Sequence, residues 1–310
     1  MTDRIGNNAA GHPAPYRGRF APSPTGPLHF GSLVAAVGSY LQARAHHGVW
    51  LVRMEDLDPP REIPRAADDI LRTLEAFGLQ WDESVTYQSQ RHDAYAAALE
   101  TLRRGAAIYP CGCTRREISD SGLAGIDGPV YPGICRDGLP AGRAARAWRV
   151  RTDSSVIGFQ DAVQGMIHCP LATEAGDFVV RRADGFYAYQ LAVVLDDAAQ
   201  GITEVVRGRD LLESTARQIY LQRLLSLPTP GYMHLPAAID ARGEKLSKQT
   251  YASPLDRKRP EIPLYAALQF LGQGPPAELQ DGDLNALWDW ALAHWRPQHI
   301  PRAPTITVPD

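Results

Sequence analysis

The spacing of apolar residues predicts alternating strands and helices near the start of the chain. A short strand over 17–22 precedes a helical pattern over about 30–46, and the apolar run over 49–56 is typical of a buried strand. The apolar positions of the helix recur at helical spacing: Leu33, Val37, Tyr40 and Leu41. Strand, helix and strand in this order form a βαβ unit, which implies a parallel sheet.

The periodic pattern is interrupted once and then resumes. Residues 106–146 are rich in Gly, Pro, Cys and Arg and have little periodicity, which indicates an inserted segment. Short strand-like runs follow over 147–182, and a helix, a strand and a second helix are predicted over 188–227. Two half-sheets around an insertion predict a doubly wound, Rossmann-type α/β fold.

Composition narrows the classes of function. The chain has 310 residues, a net charge of -3 and a pI of about 6.3, which argues against a general polyanion binder but permits a local basic patch. It contains no run of eighteen apolar residues, and its first nineteen residues lack the apolar core of a signal peptide. We therefore expect a cytoplasmic protein without a membrane partner.

Three of the four cysteines lie close together in the inserted segment. Cys111, Cys113 and Cys135 fall within 25 residues, a spacing that favours a metal site over a disulfide framework. The alternative is three free or buried thiols. Because no histidine lies between residues 93 and 167, a histidine ligand would have to come from outside this segment. Cys169 is expected to be an ordinary buried residue.

A proline-rich turn, "APSPTGPLHFGS", connects the first strand to the first helix. Its prolines fix φ and stiffen the loop, and His29 stands at the entry of the helix, where unpaired N–H groups suit a phosphate. The alternative is a rigid turn with a capping histidine.

A second motif, "EKLSKQ", follows an apolar strand predicted over 233–240. Lys245 and Lys248 flank a hydroxyl residue, and ammonium groups at this spacing suit the charge of a triphosphate. The alternative is a solvated loop.

Taken together, the two motifs resemble the HIGH and KMSKS signatures of class I aminoacyl-tRNA synthetases. "RFAPSPTGPLH" is close to the glutamyl-tRNA synthetase form, with Ser32 in place of the second histidine. Further blocks are similar to that family and extend the resemblance over most of 17–250: "MEDLD", "AYQLAVVLDD", "GITEVVRGRDL" and "LPAAIDARGEKLSK".

Only about 60 residues follow "KLSKQ", whereas a glutamyl-tRNA synthetase continues into a long anticodon-binding region. The chain is most similar to the truncated paralogues called glutamyl-queuosine tRNA(Asp) synthetases. That resemblance implies ATP-dependent activation of L-glutamate and its transfer to the queuosine base at the anticodon wobble position of tRNA(Asp). A truncated synthetase that charges a tRNA 3′ end and a non-catalytic tRNA-binding paralogue remain the alternatives.

The resemblance also implies site residues. The glutamate pocket would comprise Arg19, Phe20, Ala21, Pro22, Ser23, Glu55, Tyr189 and Arg207. By their charges, Arg19 and Arg207 would bind the two substrate carboxylates, and Glu55 would bind the ammonium group. The alternative is that Arg19 and Glu55 form a structural ion pair. ATP, with Mg²⁺, would be bound by His29, Gly31 and Lys248. The catalytic residues would be His29, Lys245 and Lys248. One structural Zn²⁺ would be bound by Cys111, Cys113, Tyr131 and Cys135.

The predicted division of the chain has five parts, and we expect a monomer. They are a flexible N-terminus (1–16), the first half of the catalytic domain (17–105), an inserted zinc-containing segment (106–182), the second half with the KLSKQ loop (183–250) and a short C-terminal helical region without an anticodon-binding domain (251–310).

Overall fold

A computed structural model describes residues 15–122, 124–125, 128–244 and 253–308. The "KLSKQ" motif, with Lys245 and Lys248, lies outside the described residues.

The first half of the main sheet is the predicted βαβ unit. Its elements are β1 (Arg17–Phe20), α1 (Phe30–Ala45), β2 (Val49–Met54), α2 (Ala66–Ala76), β3 (Thr86–Tyr87) and α3 (His92–Arg104). Strand β1 pairs in parallel with β2, and β2 pairs in parallel with β3. Leu33, Val37 and Leu41 are buried on α1, as the helical spacing predicts.

The second half repeats the parallel arrangement. It contains α5 (Tyr189–Ala199), β11 (Glu204–Gly208), α6 (Leu212–Leu224) and β12 (Gly231–Leu235). Strand β11 pairs in parallel with β12, with Arg207 opposite His234. Helix α1 packs closely here, because a Cβ on Gly38 would come within 2.6 Å of Leu235.

The two half-sheets meet where β1 lies beside the start of β11. The Thr203 amide donates to the Arg17 carbonyl oxygen at 2.9 Å. The sheet β3-β2-β1 and the strands β11-β12 therefore lie side by side, which places a crevice outside the carboxyl ends of β1 and β11. The doubly wound α/β fold predicted from the sequence is confirmed.

The region predicted as an insertion contributes to three sheets, the smallest of which pairs the two-residue strands over 124–125 and 128–129. A small antiparallel sheet has the order β10-β7-β4, and a hairpin of β8 and β9 extends the main sheet through a parallel bridge from β8 to β12. The elements are β4 (Ile108–Cys111), α4 (Arg115–Ser119), β5 (Ala124–Gly125), β6 (Gly128–Pro129), β7 (Ala147–Val150), β8 (Val156–Asp161), β9 (Gly165–Pro170) and β10 (Val179–Arg181). The five-part division of the chain stays a prediction.

The C-terminal part packs on the first half of the sheet domain. It contains α7 (Glu261–Phe270) and α8 (Leu284–His294), which agree with the helical character predicted for this region. The Trp288 indole on α8 donates to the Phe77 carbonyl oxygen at 2.8 Å. None of the helices in the described ranges combines the length and the apolar character that crossing a bilayer requires.

The prediction of one continuous strand over 233–240 is wrong. Strand β12 ends at Leu235, Pro236 interrupts it, and a separate strand β13 (Ala237–Ile239) pairs with β14 (Thr305–Thr307). Proline has no amide hydrogen to continue the ladder, so the chain changes partner at this residue.

Candidate active site and metal centre

A cavity of about 320 Å³ lies at the carboxyl ends of β1 and β11. It contains every predicted glutamate or ATP residue that the structure describes. They come from β1 and the turn after it, from α1, and from the ends of β2, α5 and β11: Arg19, Phe20, Ala21, Pro22, Ser23, His29, Gly31, Glu55, Tyr189 and Arg207.

Arg19 stands at the end of β1 and is only 3% exposed. Its Nε donates to Asp197 Oδ1 at 3.0 Å, and Nη2 donates to Oδ2 at 3.4 Å. Asp197 also accepts from Arg53 at 2.7 Å. Burial alone would raise the pKa of Asp197, but the two guanidinium groups outweigh it and hold the pKa below its usual range. Asp197 therefore remains ionised and fixes the plane of Arg19.

Glu55 follows β2 and pairs with Arg53, not with Arg19. Its Oε1 lies 3.3 Å from Arg53 Nη2. Burial raises the pKa of Glu55 above its ordinary value, against the opposing effect of Arg53 and Arg19. The structural Arg19–Glu55 ion pair considered from the sequence is absent from the hydrogen bonds and ion pairs of the described residues.

Arg207 ends β11 and is held on several sides. Its Nη1 donates to the Tyr189 hydroxyl at 3.3 Å, its Nη2 to Thr215 Oγ1 at 2.8 Å, and its Nε to His234 Nε2 at 3.0 Å. Burial raises the pKa of Tyr189. Within the described part of the chain, no residue accepts the second hydrogen of Nη1, which leaves that hydrogen for a ligand.

His29 is the N-cap of α1. Its Nδ1 accepts from the Ser32 amide at 3.4 Å, so in the neutral ring the proton is on Nε2. Gly31 and Ser32 line the same cavity, and the N-terminus of α1 carries the partial positive charge of the helix dipole. The capping role considered from the sequence is real, and it leaves the other ring nitrogen as a donor.

The three cysteines of the insertion form a buried cluster. The sulfur atoms of Cys111, Cys113 and Cys135 lie within 4.8 Å of one another, with 3.7 Å between Cys113 and Cys135. The Tyr131 hydroxyl is 3.4 Å from the Cys111 sulfur and 3.5 Å from the Cys113 sulfur. Tetrahedral zinc with bonds of about 2.3 Å to sulfur and 2.0 Å to oxygen has S–S and S–O edges of about 3.8 and 3.5 Å. The distances of 3.4, 3.5 and 3.7 Å agree with these edges, and the three cysteines could hold a metal ion.

Two arginines donate to this cluster. Arg149 Nε lies 3.3 Å from the Cys111 sulfur, and Arg143 Nη1 lies 3.3 Å from the Cys113 sulfur. Against the effect of burial, the bonds from Tyr131 and Arg149 lower the pKa of Cys111, whereas burial raises the pKa of Cys113. Cys169 lies apart from the cluster, and burial raises the pKa of its thiol to about 11, as expected for an ordinary buried cysteine.

Comparison with known proteins agrees with this geometry. Residues 16–131 and 134–261 match the family model of class I tRNA synthetases (E and Q), catalytic domain. The glutamyl-Q tRNA(Asp) synthetase of Aromatoleum aromaticum is 58% identical over 288 residues, which cover 93% of this chain and 91% of that protein. The protein of that name from Dechloromonas aromatica is 59% identical over 298 residues, covering 96% and 99%.

The chain belongs to the glutamyl-Q tRNA(Asp) synthetase family. The glutamate-tRNA synthetase of Elizabethkingia anophelis shares its fold, with a TM-score of 0.79 and 23% identity over 96% of this chain and 68% of that one. A glutamate tRNA ligase from Elizabethkingia meningosepticum is similar, with a TM-score of 0.76 and 24% identity over 93% and 66%.

Three buried groups near the predicted site residues, two carboxylates and one imidazole, were not predicted from the sequence. Asp197, Asp161 and His234 are buried, and each contacts an arginine or a residue that holds one. A signal for Asp197 was present, because two adjacent aspartates in the apolar helix "LAVVLDDAA" must be paired if they are buried. His234 and Asp161 had no such signal, since their partners depend on strand register.

Proposed function

We propose that the protein activates L-glutamate with ATP and transfers it to the queuosine base at the wobble position of tRNA(Asp). The observation that carries the proposal is the single cavity into which Arg19, Glu55, Arg207 and His29 converge. The names of its relatives, glutamyl-Q tRNA(Asp) synthetases at 58% and 59% identity, support the choice of amino acid and acceptor.

The charges of the cavity complement free glutamate. The substrate carries two carboxylates and one ammonium group, and a planar guanidinium fork is the best partner for a carboxylate. Arg19 and Arg207 stand on adjacent strands, and buried acceptors already fix the plane of each. Glu55 supplies an anion for the ammonium group, and the Tyr189 hydroxyl accepts from Arg207 in the lining of the same cavity.

The activation step is an in-line displacement. A carboxylate oxygen of glutamate attacks the α-phosphorus of ATP, the bond to the bridging oxygen breaks, and pyrophosphate leaves with the electron pair. His29 Nε2–H and the N-terminus of α1 would bind phosphate oxygens, and Lys245 and Lys248 would neutralise the leaving group. Mg²⁺ would accompany ATP as part of the substrate. The acceptor in the queuosine base then attacks the acyl carbon, and AMP leaves.

The cysteine cluster takes a structural role in this proposal. Zn²⁺ is the metal that best suits Cys111, Cys113, Cys135 and Tyr131, because thiolates in a tetrahedral arrangement favour it. A metal there would stabilise a segment with few apolar side chains of its own. We further propose a cytoplasmic monomer without a membrane partner, in agreement with the charge and apolar pattern of the sequence.

The reaction is tested by ATP–pyrophosphate exchange without tRNA. We expect exchange that depends on L-glutamate and that aspartate and glutamine do not support. Lys248→Ala should abolish exchange while circular dichroism and thermal unfolding stay unchanged. Absence of exchange at every glutamate concentration would contradict the activation step.

A further inference from the structure

Arg207 is attached to a buried histidine that lies outside the lining of the cavity. His234 is 0% exposed and stands opposite Arg207 in the register of β11 and β12. The Arg207 Nε–H donates to His234 Nε2 at 3.0 Å, and the Thr215 hydroxyl lies 3.2 Å from the same nitrogen. Because a guanidinium group only donates, Nε2 of His234 has to be an unprotonated acceptor.

Asp161 fixes the histidine in that form. Its carboxylate, also 0% exposed, lies 2.6 Å from His234 Nδ1 and accepts the backbone amides of His234, Val163 and Gln164. Burial would raise the pKa of Asp161, but the bonds from His234 and the amides outweigh it and lower the pKa. An ionised Asp161 takes the Nδ1 proton, so Nε2 is left with its lone pair toward Arg207.

The neutral form of the imidazole is also favoured by its surroundings. Burial and the nearby Arg207 charge lower the pKa of His234 to about 4. A protonated ring would bring an Nε2–H against the Arg207 Nε–H, which places two donors face to face.

These contacts determine the direction in which Arg207 can donate a hydrogen bond to a ligand. Bonds to His234 and Thr215 hold Nε and Nη2, and the bond to Tyr189 takes one hydrogen of Nη1. The remaining Nη1 hydrogen then has a fixed direction. If the Nε bond is lost, only the bonds of Nη1 to Tyr189 and of Nη2 to Thr215 and the Leu211 carbonyl oxygen restrain the group, so the direction of that hydrogen is held less firmly.

We propose that Asp161 and His234 are positioning residues for glutamate: Asp161 sets the tautomer of His234, and His234 orients the Arg207 guanidinium. This inference rests on the proposed function, in which Arg207 binds a substrate carboxylate.

Two substitutions of His234 separate positioning from packing. In His234→Gln, the side-chain oxygen can occupy the place of Nε2 and accept from Arg207. In His234→Asn, the shorter amide reaches the place of Nδ1 and can donate to Asp161, but nothing accepts from Arg207 Nε. We expect His234→Asn to weaken glutamate binding by roughly tenfold or more, and His234→Gln by much less, with the KM for ATP unchanged in both.

Asp161→Asn gives a second test that changes no group in the cavity. The amide donor of Asn would face Nδ1, so the ring would take its proton on Nε2, against Arg207. We expect the same roughly tenfold loss of glutamate affinity, and no further loss when Asp161→Asn is added to His234→Gln. Thermal unfolding of each variant reports any general damage to the fold.

Two measurements on the same preparations test the two proposals separately. Calorimetry measures glutamate binding, and pyrophosphate exchange measures the activation reaction. Binding without exchange would contradict the reaction, and the order of the variants in affinity would still decide the positioning role. Equal glutamate affinity in His234→Asn and His234→Gln, or full additivity of Asp161→Asn with His234→Gln, would overturn the positioning role.

Discussion

Arg19 and Asp197 form an ion pair at the base of the cavity, with Nε and Oδ1 3.0 Å apart and both side chains nearly inaccessible. The pair joins the end of β1 to α5, two elements from different halves of the sheet. Asp197 is shared with Arg53, which in turn contacts Glu55. Arg19 and Glu55 are both proposed to bind the substrate. The orientation of both side chains therefore depends on one buried carboxylate, that of Asp197.

Asp197→Asn should destabilise the protein and weaken glutamate binding. Removing one partner of a buried ion pair leaves uncompensated charge and costs about 3–5 kcal/mol of unfolding free energy. Loss of the fixed Arg19 plane should raise the KM for glutamate by roughly tenfold or more. Denaturant unfolding and pyrophosphate exchange measure the two effects.

Glu83→Gln is the matched control for that substitution. Glu83 pairs with Arg17 at 2.8 Å, but its side chain is 52% exposed. Exposed pairs contribute less than about 1 kcal/mol, so stability and the KM for glutamate should both stay near wild-type values. A loss as large as that of Asp197→Asn would show that burial is not the deciding property.

The raised pKa of Glu55 predicts that glutamate binding depends on pH. Its pKa is raised by burial, and only the ionised form can pair with the substrate ammonium. The KM for glutamate should therefore rise as the pH falls through this raised pKa. Glu55→Gln should have a high KM at pH 7 that no longer changes over this range, and a retained pH dependence would contradict the assignment.

The same shift has a consequence for stability. A carboxyl whose folded pKa is raised stabilises the fold below its unfolded pKa, and this contribution is lost as the pH rises through the folded pKa. As the pH rises from the unfolded pKa of about 4 through the raised folded pKa, Glu55→Gln should lose less unfolding free energy than the wild type. Thermal unfolding without glutamate across this range measures the difference.

His29 is predicted to act through Nε2, independently of its cap. His29→Asn keeps a side-chain acceptor for the first turn of α1 but removes the distal donor, so the turnover of exchange should fall about a hundredfold with little change in stability. His29→Ala should lose the same activity and in addition about 1 kcal/mol of stability. Near-normal exchange in His29→Asn would limit the residue to capping.

The cysteine cluster predicts a metal content that one pair of variants can test. Purified wild-type protein should contain one zinc per chain by elemental analysis. Cys135→Ser should lose the metal and unfold at lower temperature, whereas Cys169→Ser should keep the metal, because Cys169 lies outside the cluster. Equal metal content in both variants would contradict the ligand assignment.

Much of the fold was predictable because its signals are local. Helical spacing in α1 and the apolar runs of β1 and β2 depend only on neighbours in sequence, and the structure confirms them. The pairing of β13 with β14 could not be found in this way, since nearly seventy residues separate the two strands. The break at Pro236 had a local signal, the missing amide of proline, that the apolar pattern around it obscured.

In the candidate site, too, some residues could be predicted from local sequence and others could not. Residues in motif order, such as Arg19 and Glu55, came from the resemblance, and they meet in one cavity. The groups that orient them did not, because Asp197 meets Arg19 across 178 positions and Asp161 meets His234 across 73. Such pairs are set by which strands lie side by side, and this information is not present in any short stretch of sequence.

The central claim is tested most directly by transfer of labelled glutamate to tRNA(Asp) that lacks its 3′-terminal adenosine. We predict full transfer when this tRNA carries queuosine and none when guanosine occupies the wobble position, because the acceptor is the modified base. Charging of intact tRNA(Glu) that disappears when the terminal adenosine is removed would contradict the account, since it would make the 3′ end the acceptor.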